Sequence, residues 1–118
     1  MTDKRQWLGR YGEDRACEYL VSQGYQILDR NWRNTEGEID IVGVLAQTLV
    51  FIEVKTRTSN FSGNPLEAIT RPKIQRLRRL AAGWCACRQV KNCEVRFDAI
   101  AVMVHGGRVT IEHLKQVV

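Results

Sequence analysis

The chain has 118 residues, a length that suits one domain with a core of its own, since roughly two-thirds of the unfolded surface can be buried at this size. Its formal charge of +5 favours a polyanionic partner. The four cysteines (Cys17, Cys85, Cys87, Cys93) form no C-x-x-C pair and the two histidines stand apart, which argues against a zinc site.

The start, MTDKRQWLGRYGEDRA, has no apolar core of a signal peptide, and no segment approaches membrane-spanning length. The expectation is one domain over residues 1–118, in a reduced, cytoplasmic setting, with no membrane partner.

Residues 3–23 are expected to be helical, with Gly9, Ala16, Cys17 and Leu20 on one side and Gly24 as the C-terminal stop. Gly9 and Gly12 weaken the first half, so the helix either starts later or packs close to another backbone. Residues 25–33 (YQILDRNWR) read as a strand, NTEG as a turn, and 38–44 and 48–57 as a β-hairpin around Leu45-Ala46-Gln47. Residues 58–64 read as a polar loop. Thr70 can cap a second helix with Pro72 in its first turn and Ile74, Leu77, Leu80, Ala81 and Trp84 as its apolar stripe. Residues 94–104 read as a covered strand. Gly106-Gly107 turn the chain into a last strand, RVTIEHL. The order α-β-β-β-α-β-β implies an α/β fold, one mixed sheet with flanking helices.

Chemistry concentrates in TLVFIEVKTR (48–57). Glu53 and Lys55 share a strand face with Phe51, while Glu38, Asp40 and Val42 share a face on the preceding strand. A turn centred on Ala46-Gln47 sets Asp40 opposite Glu53; a slip of two residues keeps it on that face. Two facing carboxylates repel and require a cation. Lys55 is one, and magnesium or manganese, with its preference for oxygen ligands, is a better one. Asp40, Glu53 and the Val54 carbonyl are candidate ligands. Glu13, on the inward side of the first helix, is a further candidate. Lys55 can orient a metal-activated water or neutralise developing charge. The competing reading is ordinary edge charges, because Glu-x-Lys alone is common.

Arg71, Lys73, Arg76, Arg78 and Arg79 fall within nine residues. They are either a solvated helix face or phosphate contacts, with Lys73 best placed to approach the carboxylates. Arg57 is a further phosphate candidate, and Arg30, Arg33, Lys4 and Arg5 add positive field. Trp7, Trp32 and Trp84 are able to stack on bases, although Trp84 lies on an apolar stripe.

Asp40, twelve intervening residues and then Glu53-Val54-Lys55 resemble the D…ExK signature of the PD-(D/E)xK nuclease superfamily. The blocks GRYGEDRACEYLVSQGYQIL, NWR, GEIDIV, LVFIEVKTR, PLEAIT, KIQRLRR and VRFDAIAV are together similar to the YraN-like family of small bacterial proteins, predicted to be related to endonucleases. The resemblance implies a restriction-endonuclease-like fold, metal binding by Asp40 and Glu53, and a catalytic Lys55. Similarity to archaeal Holliday-junction resolvases adds Glu13 from the first helix and makes a homodimer an open option. Ile39 stands where the superfamily has proline, and the Gly43–Gln47 tip is more apolar than the family's usual turn.

The function so implied is a metal-dependent endonuclease acting on DNA, including branched or damaged DNA. The alternatives are an inactive nucleic-acid-binding or assembly module on the same fold, and a protein-interaction role through the apolar hairpin tip.

Overall fold

The computed structural model describes residues 4–58 and 65–117. Its elements are α1 (Lys4–Ser22), β1 (Gln26–Asn34), β2 (Gly37–Leu45), β3 (Thr48–Arg57), a 3-10 turn (Pro65–Ala68), α2 (Arg71–Arg88), β4 (Glu94–His105) and β5 (Arg108–Leu114). The strands form one five-stranded sheet in the order β1-β2-β3-β4-β5. All neighbours are antiparallel except β3 and β4, which run parallel because α2 crosses between them.

The helices cover opposite faces. On one face Ala16 and Leu20 of α1 pack with Ile41, Val50, Ile52, Ile100 and Val102. On the other, Leu77, Leu80, Ala81 and Trp84 of α2 pack with Ile39, Val42, Leu49 and Phe51. β3 is the middle strand, so its apolar residues alternate between the two cores: Val50 and Ile52 toward α1, Leu49 and Phe51 toward α2. That is why TLVFI is apolar at every position after Thr48.

Local signals explain the element ends. Gly24 takes φ +94°, and the amides of Gly24 and Tyr25 donate to the carbonyls of Val21 and Leu20, closing α1. Gly106 and Gly107 both have positive φ, the pattern of a type I′ hairpin turn. Ala46 takes φ +54° in the two-residue β2–β3 turn, where Leu45 pairs with Thr48. Leu45 of this tip is half-buried and packs against the α1-side core.

Several expectations are corrected. Thr70 occupies the cap position of α2, but its side chain makes no capping hydrogen bond. Gly9 meets nothing that requires glycine, whereas a Cβ on Gly12 would collide with the Thr56 side chain of β3. The close approach is therefore helix to side chain, at Gly12 alone. A short 3-10 turn precedes α2. Of the polar loop, residues 59–64 lie outside the described residues, as does residue 3 at the start of the first helix.

Candidate functional site

β2 and β3 pair regularly from Leu45–Thr48 to Ile41–Ile52. The pairing stops there, one step short of Asp40 and Glu53. There the backbone ladder gives way to a side chain: the Val54 N–H donates to Asp40 Oδ2 at 2.8 Å. Val54 thus enters the site through its amide, holding Asp40 in place. Ile39 and Val42 both pack into the α2-side core although they are three residues apart, so the alternation of β2 breaks across Asp40. Opposite it on β1, Asn31 takes φ +53°, a conformation asparagine tolerates better than most residues.

This irregularity turns Asp40 toward α1. Carboxylate oxygens of Glu13, Glu38 and Asp40 lie within 4.8 Å of one another. Asn31 Nδ2 bridges two of them, donating to Glu13 Oε1 at 2.7 Å and Glu38 Oε1 at 3.0 Å. Arg33 Nε donates to Glu38 Oε2 at 2.6 Å. Glu53 stands outside this trio. It continues the Leu49–Phe51 side of β3 and shares a groove of about 240 Å³ with Glu38, Asp40, Lys73 and Arg76. The site therefore sits where β2 and β3 part, since their pairing ends at Ile41–Ile52 while β1–β2 runs on to Gly37 and β3–β4 to Arg57, with Asp40 between the two halves.

The electrostatics follow from crowding like charges in a half-dry place. Burial, reinforced by the charge of Glu53, pushes the Asp40 carboxyl up to about 8 against the opposing Val54 hydrogen bond. Burial also raises Glu53, while Lys73, Arg76 and Lys55 pull it down. Glu13 is raised by burial, with the Asn31 hydrogen bond opposing. The Lys55 ammonium is held below its ordinary range by burial and by Arg57 and Lys73. An all-oxygen donor set this reluctant to ionise together fits a hard dication such as magnesium or manganese.

Of the basic residues singled out in the sequence, Lys73 and Arg76 reach the acidic groove. Arg57 lies near enough to Lys55 to depress it. Arg79 is instead paired with Glu36 at 3.0 Å. Arg71 lines a separate groove with Ile74, Arg78 and Val117. Arg30 pairs with Asp14 at 2.8 Å.

Sequence reasoning did not single out Glu38 or Asn31 as site residues. Glu38 was legible only as sharing a strand face with Asp40 two residues on, not as a partner of Glu13. Asn31 was not, because its role depends on a left-handed backbone inside a strand. A second polar cluster also went unread. Asp98, fully buried, accepts from Arg96 Nε and Nη2 at 2.8 Å each, and from the Gln116 amide at 3.1 Å. It lies 2.7 Å from His113 Nε2, and His113 Nδ1 is 2.9 Å from the Tyr19 hydroxyl. This network ties β4, β5 and α1 together on the face away from α2.

Residues 12–102, which include Glu13, Asn31, Glu38, Asp40, Glu53 and Lys55, match the family described as "Uncharacterised protein family UPF0102". The chain belongs to the UPF0102 family. A UPF0102 protein of Beutenbergia cavernae is 47% identical over 111 residues, covering 93% of this chain and 94% of that protein. One from Arthrobacter sp. (strain FB24) is 49% identical, with the same coverage. One from Nocardia farcinica is 45% identical over 114 residues, covering 96% of this chain and 90% of that protein. As a UPF0102 protein the chain thus aligns with its relatives over nearly their full length. No helix among the described residues is long and apolar enough to cross a membrane.

Proposed function

We propose that this UPF0102 protein is a metal-dependent endonuclease that hydrolyses phosphodiester bonds in DNA. The observation that carries the reading is the convergence of Glu13, Glu38 and Asp40 from two elements, with Glu53 and Lys55 on the adjoining strand, inside a basic chain. Asp40 and Glu53 would hold magnesium or manganese, with Glu13 assisting and the Val54 carbonyl as a further donor. When bound, such an ion supplies charge stabilisation at the phosphoryl group and a more acidic water.

The chain's own residues do the rest. The Val54 N–H fixes Asp40. Lys55 Nζ, near enough to Glu53 and Asp40 to feel their charges, orients the attacking water and offsets charge on the phosphate. Lys73, Arg76 and Arg57 hold flanking phosphates; Arg71 and Arg79, farther from the groove, contact the strand beyond it. Water adds to phosphorus, one P–O ester bond breaks, and the departing alkoxide takes a proton.

Cleavage of duplex, single-stranded and branched DNA with magnesium or manganese tests this. Asp40→Ala and Glu53→Ala are each expected to slow cutting about 10²–10³-fold, the scale of losing one preorganised electrostatic group. Lys55→Ala should slow cutting while leaving DNA binding within about twofold. Identical behaviour of the wild type and Asp40→Ala on every substrate would sink the catalytic reading.

A second reading has its own support. Asn31 and Arg33 already satisfy much of Glu13 and Glu38 without any ion, as in a binding or assembly module on a nuclease fold. In that case DNA binding survives Glu53→Ala and weakens with Lys73→Ala or Arg76→Ala, and no substrate is cut.

A further inference from the structure

The N-terminal half of α1 carries a feature that the acidic cleft does not use. Trp7 is 57% exposed, whereas Trp84 is 3% exposed and Trp32 packs against the α2-side core. The Trp7 ring stacks on Tyr11 with centroids 5.3 Å apart and planes 15° from parallel. The Arg15 guanidinium lies over Tyr11, 4.7 Å from the ring centroid. Positions 7, 11 and 15 follow one another at i, i+4, i+8, so three flat groups form a column along the helix. Trp7 is its open end. It looks onto a groove of about 530 Å³ lined by Lys4, Arg5, Leu8 and Thr58.

An exposed indole held parallel to a second ring, with cations beside it, is the chemistry that takes up a nucleobase. Every base offers a π-face, and the neighbouring ammonium and guanidinium groups suit its phosphates. The charge is one-sided: residues 4–12 contain Lys4, Arg5 and Arg10 and no acid.

The position fits the cleft. Thr58 follows Arg57 and stands three residues, roughly 10 Å, beyond Lys55 along the chain. Trp7 precedes Glu13 by six helical positions, roughly 9 Å along the axis and about 120° around it. A strand reaching both would cross the N-terminal end of α1. The first span is about three steps of a stacked strand at 3.4 Å each, and the second is longer by the turn around the helix.

We propose that the Trp7–Tyr11 column is a stacking platform for an unpaired nucleobase, so that the substrate carries a single-stranded stretch next to the phosphate held in the cleft. This rests on the reading of the cleft as a phosphodiester site. A paired duplex keeps its bases stacked on one another and has none to offer the platform.

The test is equilibrium binding of the full chain, in EDTA, to three fluorescein-labelled probes. These are an oligothymidylate of about twelve nucleotides, an abasic strand of equal length and a duplex. Trp7→Ala is expected to weaken oligothymidylate binding about tenfold, with Trp7→Phe recovering part of it. Binding to the abasic strand and the duplex should change less than about twofold. Trp7 fluorescence should be quenched by the oligothymidylate and not by the abasic strand. Trp7 is exposed, so unchanged circular dichroism is expected for the variant.

Equal binding of oligothymidylate by wild type and Trp7→Ala overturns the platform. So does an equal loss on all three probes, or no binding by the wild type. A Trp7-dependent self-association in sedimentation, with oligothymidylate binding unaltered by the variant, assigns the column to a second copy and overturns it too. Because no cleavage is read, the two readings fail separately. Trp7-dependent binding with no Asp40-dependent cutting removes the hydrolytic role alone, and the converse removes the platform alone.

Discussion

Asp40 is costly to the protein that carries it. Its carboxylate is half-buried, lies near enough to Glu53 to feel its charge and sits within 4.8 Å of Glu13 and Glu38 oxygens. With its folded pKa raised above the unfolded value, ionisation at neutral pH opposes folding. Asp40→Asn, which keeps an acceptor for the Val54 amide, is therefore expected to stabilise the metal-free protein by about 1 kcal/mol, a rise of several degrees in Tm. It should also abolish any thermal shift produced by manganese. Differential scanning fluorimetry with and without the ion reads both.

Asp98 is the opposite case. Burial pushes its carboxyl up, but His113, Arg96 and the Gln116 amide more than compensate and hold it at about 2. A depressed acid contributes stability that is fully present above the unfolded pKa, near 3.8, and is lost as pH falls toward 2. That difference corresponds to about 2 kcal/mol. Urea midpoints between pH 2 and 6 should show this slope in the wild type and a flatter profile in Asp98→Asn. That variant should also be less stable at pH 6, since it leaves Arg96 with a poorer partner.

Among the elements, α1 is placed by one glycine. Gly12 lets the helix lie on β3 where a Cβ would strike the stiff, branched Thr56 side chain. Glu13 is the next residue, so the same contact sets how far the helix carboxylate reaches into the cleft. Gly12→Ala is expected to destabilise the protein by about 1–3 kcal/mol and to weaken any manganese-induced thermal shift. Gly9→Ala, one turn earlier with nothing within 4 Å, should instead stabilise by about 0.5–1 kcal/mol. Thermal unfolding of the pair separates a packing requirement from the general cost of glycine in a helix.

β3 shows how one strand serves both packing and chemistry. Its first half is buried on both faces because α1 and α2 cover it. Its second half, from Glu53, runs past the α2-side core while Val54 and Thr56 still lie against the α1 side, so the same period-two alternation delivers Glu53, Lys55 and Arg57 to the other side. The hairpin register was readable because it follows from this alternation and from the two-residue turn at Ala46-Gln47. The kink across Asp40 was not, since nothing in GEIDIV departs from regular alternation.

At the scale of the whole molecule, two helices cover opposite faces of the sheet, and the acids collect where β2 and β3 part between them. Their charges come from α1, β2 and β3, and their counter-charges from β1 and α2. A net positive chain with a local nest of carboxylates is suited to a polyanion that meets a metal at one point. The hairpin tip, apolar in sequence, is partly accounted for within the fold because Leu45 packs on the α1-side core.

The sequence by itself determined the element order, the two apolar helix stripes, the register of the β2–β3 hairpin and the basic character of α2. Each depends on spacing along a single segment or across one short turn. Tertiary structure alone decided that Glu38 joins Glu13 and Asp40 and that Asn31 bridges two of the acids. It also decided that Arg79 is drawn off to Glu36 and that Asp98 is locked by Arg96 and His113. The physical reason is common to all four. Each needs at least one partner from another element (Glu13, Asn31, Glu36 and His113 respectively), and bends of a few residues, such as the left-handed Asn31, decide which polar atoms come within hydrogen-bonding reach.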